Sequence, residues 1–308
     1  MSKDRPAGRG RWLIAAAFLF PILLVMGPGT GQASENAGVS EQVRQGEYLL
    51  RAGGCVSCHT EKTDDAPFLA GGRGIESPFG TFYGPNITPD PDTGIGRWSE
   101  EDFARALRHG ISPRGRHYYP AFPYTSYTRM RSEDIAALWA YLQTVEPVHR
   151  ENREHELVWY AGLRPGLRLW KFLHFRPGEF EPRPDATDEW NRGAYLSRAL
   201  AHCAECHSPR NRTGGLDPQR LYAGARMGDG DAVPNITPDR ETGIGRWRAG
   251  HLMRYLDLGM DPDGDFAGGA MGDVISEGTS HLTEDDRRAL AVYLRALEPI
   301  ENRVPLAD

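Results

Sequence analysis

All four cysteines of the 308-residue chain fall in two short motifs with the same spacing. Each motif reads Cys-x-x-Cys-His, and the two copies are Cys55–His59 and Cys203–His207. Two thiols at this spacing can each form a thioether with one vinyl group of a porphyrin, and the following histidine then lies under the ring, where it can bind the iron. The spacing therefore predicts two covalently bound haem c groups.

The motif residues divide into two chemical roles. The predicted thioether residues are Cys55, Cys58, Cys203 and Cys206, and the predicted proximal iron ligands are His59 and His207. Other roles for paired cysteines fit less well. A zinc site would need further ligands at a suitable spacing, a thioredoxin-like pair is rarely followed by histidine, and four cysteines are few for a disulfide framework in a chain of this length.

The N-terminus has the composition of a secretory signal peptide. Four basic residues precede an apolar run over 12–26, and small residues at 31–33 form a cleavage site. The run is short for a membrane span and contains Pro21. We predict a signal peptide over 1–33, with an uncleaved anchor in the inner membrane as the alternative. Export to the periplasm suits the chemistry, because bacteria complete thioether attachment outside the cytoplasm.

The chain is acidic, with a net charge of −6. Loss of residues 1–33 would remove four basic residues and one acidic residue and leave about −9. This charge argues against nucleic acid as a partner. An acidic surface could steer a basic redox partner, although ordinary solubility explains the charge equally well.

Much of the sequence repeats after about 149 residues. The repeated elements are Gly-x-Tyr-Leu before each haem motif, Asn-Ile-Thr-Pro-Asp and Thr-Gly-Ile-Gly-Arg-Trp after it, and a final Ala-Leu-x-x-Tyr-Leu. They begin at Gly46, Asn86, Thr93 and Ala137 and recur at Gly193, Asn235, Thr242 and Ala289. Only two copies are present, which indicates a duplicated domain and not a solenoid.

Each copy shows the same order of predicted helices. A helix over 40–53 or 190–202 leads into the haem motif, and a middle helix follows the repeated tryptophan, with Ser99 as its cap in the first copy. An irregular loop follows in each copy. The last helix then begins at a cap residue, Ser132 or Thr283, which is followed directly by acidic residues. Strand signals are nearly absent, so we predict an all-α class. A porphyrin would supply apolar mass that so small a core lacks.

The predicted domains are a first copy over 38–148 and a second copy over 186–302. They are joined by a linker over 149–185 that is rich in aromatic and basic residues. This is not the Gly/Ser-rich or polar composition of a flexible linker. We expect the linker to pack across both copies and to fix the distance between the haems; the alternative is a wrap around one copy only.

The sequence resembles class I cytochromes c in tandem. It is more closely similar to the cytochrome c subunits of bacterial alcohol and gluconate dehydrogenases, and to the dihaem cytochromes paired with molybdenum hydroxylases. The repeated blocks together with 119–127 and 192–207 carry the likeness, which covers most of 38–302. Many members have three haem motifs, whereas this chain has two. The resemblance implies two tandem class I cytochrome c domains, joined here by the aromatic-rich linker, that relay electrons.

The resemblance also implies partners. The donor would be a dehydrogenase or a hydroxylase, and the acceptor a cytochrome, a quinone or a terminal oxidase. Peripheral association with the membrane is compatible with this role.

The second haem has one clear candidate for its distal ligand. An electron-transfer cytochrome c usually carries methionine there. Met271 lies in the loop where the family carries its ligand. Met253 and Met260 fall on or at the end of the middle helix and are interpreted as packing residues.

The first haem lacks this ligand, because the position that aligns with Met271 is Phe122, which cannot bind iron. Met130 is the preferred candidate, His117 is the alternative, and an open or water-bound iron is a third option. Met130 aligns with Leu282, which resembles a core position. We predict two inequivalent haems, since methionine raises the potential and a second histidine lowers it.

Two further features concern the surroundings of the haems. Each proximal histidine needs an acceptor for its other ring nitrogen, and loop residues near Pro67 and Pro218 are candidates. The Asn-Ile-Thr-Pro-Asp blocks are interpreted as turns that cover a haem edge, because Asn and Asp bond readily to nearby backbone groups. Calcium binding is the less favoured interpretation of these blocks.

Two functions follow from these patterns. The first is a dihaem electron carrier that is not itself an enzyme and has no catalytic residues. The second is a haem enzyme of the peroxidase or thiosulfate-oxidoreductase kind, with the first haem open. The segment over 118–128 lacks the Glu, Arg or Cys expected at such a site, which favours the carrier.

Overall fold

A computed structural model describes residues 30–161, 165–227 and 230–304, with side chains described from Ser40 onwards. The described residues from Val39 onwards form one compact unit. Most of the predicted signal peptide over 1–33 lies outside the described residues. Among the described helices, none is both long enough and apolar enough to cross a bilayer.

Helices supply most of the regular structure of the described chain. In chain order they are α1 (Thr30–Ala52), α2 (Cys55–His59), α3 (Glu100–His109), α4 (Tyr124–Tyr127), α5 (Ser132–Leu142), α6 (Pro165–His174), α7 (Asp188–Tyr195), α8 (Ala204–His207), α9 (Ala249–Leu258), α10 (Gly269–Glu277) and α11 (Glu284–Arg295). A π-helical turn over Leu196–Leu200 continues α7, and a 3₁₀ turn over Thr279–His281 precedes α11.

Short antiparallel strands complete the described structure. They are β1 (Gly74–Ile75), β2 (Gly80–Tyr83), β3 (Glu156–Leu157), β4 (Ala225–Arg226) and β5 (Ala232–Val233). Strand β2 pairs with β1 and with β3, whereas β4 pairs with β5. The all-α prediction is therefore right in that helices dominate, but it missed the short strands. Strands of two to four residues are too short for an alternating pattern to reveal them.

Repeated glycines mark a close helix crossing in each copy. A Cβ atom on Gly46 would lie 2.0 Å from the carbonyl oxygen of Ala137, and one on Gly193 would lie 1.9 Å from that of Ala289. No side chain fits at such distances. The glycine therefore allows the first helix of each copy to cross the last helix of that copy, α5 or α11.

Two of the three predicted helix caps are correct. Ser99 Oγ accepts a hydrogen bond from the Asp102 N–H, and Thr283 Oγ1 accepts one from the Asp286 N–H, each at 3.2 Å. Ser132 is the first residue of α5 and not its cap. The N-cap is Arg131, whose N–H donates to the hydroxyl of Tyr195 in the second copy at 3.1 Å.

Other helix predictions differ from the structure in their bounds. Helix α1 begins ten residues before the predicted start at position 40. The segments predicted as irregular loops after the middle helices contain α4 and α10. Both are short, and neither has a charged residue in its first turn that would signal a start.

The two copies meet through reciprocal contacts. Tyr48 of the first copy donates its hydroxyl to Asp286 of the second, and Tyr195 of the second donates to Asp134 of the first. Each tyrosine oxygen also accepts a backbone N–H from the opposite copy, as from Thr283 to Tyr48 at 3.3 Å. We call this contact surface the seam. Because each copy offers the same residue types to the other, the seam has the pattern of a two-fold symmetric interface.

The linker packs against both copies, as predicted, and not around one alone. In α6, Lys171 Nζ donates to the carbonyl oxygens of His109 and Gly110 in the first copy. One turn later, His174 Nε2 lies 2.8 Å from Thr213 Oγ1 in the second copy. Strand β3, also in the linker, extends the β1–β2 hairpin of the first copy.

Candidate functional site

Each Cys-x-x-Cys-His motif forms one helical turn. The first motif is α2, and the second begins at Cys203 as the N-cap of α8. Residues three apart on a helix share a face, so the two thiols of each motif point the same way. Each motif therefore presents a pair of sulfur atoms on one side of its helical turn.

Both motif histidines are held in the same orientation. His59 Nδ1 lies 2.7 Å from the carbonyl oxygen of Pro85, and His207 Nδ1 lies 2.8 Å from that of Pro234. A carbonyl oxygen can only accept, so Nδ1 carries the hydrogen and the lone pair remains on Nε2. Burial lowers the pKa of both imidazoles despite these hydrogen bonds, which keeps them neutral. A neutral Nε2 is the form that binds iron.

The predicted carbonyl acceptors near Pro67 and Pro218 are wrong. The true acceptors, Pro85 and Pro234, directly precede the two copies of the Asn-Ile-Thr-Pro-Asp block. The proline before each block is itself a signal in the sequence, because it too recurs after 149 residues. Residues near Pro67 and Pro218 are closer in sequence to the histidines, but they are not the acceptors. The chain comes back to each histidine only after a loop of 26 or 27 residues.

The Asn-Ile-Thr-Pro-Asp blocks form turns, as predicted. Asn86 Oδ1 accepts the Thr88 N–H at 2.9 Å, and Asn86 Nδ2 donates to the carbonyl oxygen of Val148 at 2.7 Å. Asn235 makes the equivalent bonds at 2.9 and 2.7 Å. Each turn is thereby tied to the segment after the last helix of its copy. This fixes the backbone next to the proline carbonyl that orients the histidine.

Met271 lies on α10 and not in an irregular loop. It is half-buried and packs against the core. The same helix lies against α2, and its Asp273 forms ion pairs with Lys62 and Arg73 of the first copy. The segment that carries the predicted second-haem ligand therefore also forms part of the seam.

The two first-haem candidates have different surroundings. Met130 is 1% exposed in the core, like the aligned Leu282 at 4%. His117 is half-buried, and its Nδ1 lies 3.1 Å from Lys171 Nζ in the linker. Burial and the positive charge of Lys171 lower the pKa of His117.

Phe122 belongs to an aromatic cluster that the sequence did not predict. Its ring centroid lies 5.6 Å from that of Tyr118, 6.3 Å from Tyr124 and 5.7 Å from Tyr127. The Tyr127 hydroxyl donates to the carbonyl oxygen of Gly53 at 2.6 Å, just before the first motif. The cluster thus connects α4 to the first attachment segment.

The residues before the two motifs meet at the seam. A Cβ atom on Gly54 would lie 3.6 Å from His202 Nε2. The His202 ring lies 5.6 Å from the Tyr127 ring, edge to face. The two attachment segments are therefore neighbours, although they are far apart in sequence.

One carboxylate at the seam was also absent from the sequence-based predictions. Glu205 occupies an unspecified position of the second motif, and its side chain is 11% exposed. It accepts hydrogen bonds from Thr125 Oγ1 at 2.6 Å and Ser126 Oγ at 3.2 Å, both in α4 of the first copy. Arg210 Nη2 lies 2.9 Å away on the other side. The motif pattern leaves this position open, so no local signal marks it.

Comparison with known proteins identifies the family of the chain. A cytochrome c family profile matches residues 43–146. A dihaem c-type cytochrome of Cereibacter sphaeroides is 44% identical over 269 residues, which are 86% of this chain and 89% of that protein. The chain therefore belongs to the cytochrome c family. It carries covalently bound haem c, two groups as in the dihaem relative.

Two other relatives are longer proteins. One of the subunits of nicotinate dehydrogenase from Pseudomonas putida is 39% identical over 292 residues, 95% of this chain and 24% of that protein. The cytochrome c subunit of the quinone alcohol dehydrogenase of Gluconacetobacter polyoxogenes is 38% identical over 282 residues, 88% of this chain and 59% of that subunit. The chain thus spans only part of these relatives. Their names lend no support to the haem-enzyme alternative.

Proposed function

We propose that the chain is an electron-transfer cytochrome in which Cys55 and Cys58 hold one haem and Cys203 and Cys206 hold the other. His59 and His207 are the proximal ligands. The matched Nδ1 hydrogen bonds to proline carbonyls carry this assignment, because they leave Nε2 of each imidazole for iron. The residues present therefore fit the group.

The haems supply reversible one-electron chemistry when bound. The chain's own residues position them and set their surroundings. The Pro85 and Pro234 carbonyls orient the imidazoles, the asparagine turns hold those carbonyls, and the seam keeps the two attachment segments adjacent. None of these roles requires a general acid or base.

The distal ligands follow from the same proposal. Met271 is the ligand of the second haem, supported by its half-buried place against the core. Met130 is the first-haem ligand, with His117 and an open iron as alternatives. Optical and EPR spectra of Met271→Leu, Met130→Leu and His117→Leu test these roles one at a time. Unchanged first-haem spectra in the last two variants would exclude both candidates for that iron.

The domain plan extends the proposal. The copies over 38–148 and 186–302 are two class I cytochrome c domains, and the linker over 149–185 holds them together. The repeated helix crossings at Gly46 and Gly193 support this plan. Residues 1–33 direct the chain to the periplasm, and N-terminal anchoring is the alternative to cleavage.

A dehydrogenase or hydroxylase is the proposed electron donor. Relatives named as parts of alcohol and nicotinate dehydrogenases support this class. A cytochrome, a quinone or an oxidase would accept the electrons, and peripheral contact with the membrane would suit either side of the relay. Co-purification of the holoprotein from its native host identifies the donor directly.

Haem content tests the central assignment. Expression in a host competent in cytochrome maturation should give an intact mass with two added haems, and a spectrum that changes reversibly on reduction. Replacing both cysteines of one motif by alanine should remove one haem and leave the other. A colourless wild-type protein, or a mass without two haems, would contradict the proposal.

A further inference from the structure

The two attachment motifs differ in charge at one equivalent position. The second motif has Glu205 where the first has Ser57. Ser57 Oγ donates to the carbonyl oxygen of Gly54 at 3.0 Å within its own segment. Glu205 instead reaches across the seam to Thr125 and Ser126. The asymmetry therefore places a nearly buried carboxylate in the second attachment motif and none at the equivalent position of the first.

The Glu205 carboxylate lies close to the second attachment site. Glu205 directly precedes Cys206, and its side chain is 11% exposed. Its ion-pair partner Arg210 is 40% exposed, so water screens the cation more than the carboxylate. The residue that directly precedes Cys58 in the first motif is the uncharged Ser57. The second motif therefore carries a charge where the first carries none, in surroundings that screen charge weakly.

We propose that Glu205 is a fixed negative charge that selectively lowers the midpoint potential of the second haem. Oxidation adds one positive charge to the iron, and a nearby carboxylate with little exposure to water stabilises that charge. The inference rests on the proposed attachment of haem at both motifs. Glu205 acts on the haem through its charge, and its hydrogen bonds to Thr125 and Ser126 of α4 hold the carboxylate at the seam.

The test is a redox titration of the holoprotein and of Glu205→Gln. Glutamine keeps the size of the side chain and an oxygen that accepts from Thr125 and Ser126, but it has no charge. We expect two midpoints in the wild type, and in the variant a rise of one midpoint that exceeds any shift of the other. Arg210→Gln, which leaves the carboxylate unopposed, should lower the same midpoint.

Ser57 supplies the matched control. Ser57→Gln tests the effect of side-chain size at the equivalent position and should leave both midpoint potentials unchanged. Ser57→Glu adds a charge there and should lower the midpoint potential of the other haem, the one that Glu205→Gln leaves nearly unchanged. Unmoved midpoints in Glu205→Gln, or equal shifts of both, would overturn the proposal. A loss of thermal stability with unchanged midpoint potentials would also overturn it, because Glu205 would then only stabilise the contact between the two copies. Haem content measured first on the wild type separates these outcomes from failure of the proposed function.

Discussion

At the scale of single residues, the repeated glycines have the sharpest consequence. Gly193→Ala would place a Cβ atom 1.9 Å from the Ala289 oxygen and 2.8 Å from Tyr293 Cβ, so the crossing of α7 and α11 must open. We expect a loss of about 3 kcal/mol or more in the free energy of unfolding, measured by denaturant titration. Gly250→Ala is the control, because a Cβ atom there meets nothing within 4 Å. It should be neutral or gain up to about 1 kcal/mol, since alanine favours helix.

Acid stability depends on the buried carboxylate of Asp286. Burial raises the pKa of Asp286, but hydrogen bonds from Arg192 and Tyr48 outweigh it and leave the pKa below its ordinary value of 3.8. A carboxyl with a depressed folded pKa stabilises the fold above its unfolded pKa, and this contribution is lost as the pH falls through the folded value. The stability gap between wild type and Asp286→Asn should therefore be full near neutral pH and shrink below about pH 4. A gap of constant size from neutral to strongly acidic pH would contradict this account.

Local patterns predicted many residue roles, and distant contacts explain the failures. The motif cysteines and histidines, the glycine repeat and the caps at Ser99 and Thr283 are set by neighbours in sequence. Pro85 and Glu205 were missed because their partners lie 26 and 80 residues away in the chain. The rings around Phe122 are close in sequence, but the contact of Tyr127 with Gly53 spans 74 residues. A sequence pattern carries no record of such pairs.

At the scale of elements, the seam depends on tyrosines reaching the start of the opposite copy's last helix. Tyr195 is fully buried, and its partner Asp134 is 6% exposed. Tyr195→Phe would leave this buried carboxylate without the hydroxyl, at a cost of about 1–3 kcal/mol in the free energy of unfolding. Tyr160→Phe, at a side chain that is 50% exposed, should have little effect on stability. Equal effects of the two variants would show that the seam hydroxyl adds no stability.

The predicted order of helices was largely correct, and the errors have physical causes. Helices with long amphipathic patterns and caps, such as α3 and α11, matched their predictions. The four-residue α4, the helix α10 and the short strands did not, because packing and not local propensity selects them. Nor could the helical periodicity of α7 and α11 show that their residues Tyr195 and Asp286 face the first copy.

At the scale of the whole molecule, the net charge of −6 sets an expectation for redox partners. Electron exchange with a basic soluble cytochrome should slow as ionic strength rises, because salt screens the attraction that brings the two proteins together. Stopped-flow reduction at several salt concentrations measures this, with a neutral small-molecule mediator as the control. A rate that is independent of salt would mean that the acidic residues serve solubility only.

The reciprocal tyrosine contacts also bear on ancestry. A surface that pairs with its own equivalent is the kind by which two identical chains form a homodimer. A single-copy ancestor could have formed such a pair, and fusion of the two genes would then have fixed the ratio at one to one. After fusion, each copy could change independently of the other. Glu205 in one copy and Ser57 at the equivalent position of the other are such a difference, which two identical chains cannot have.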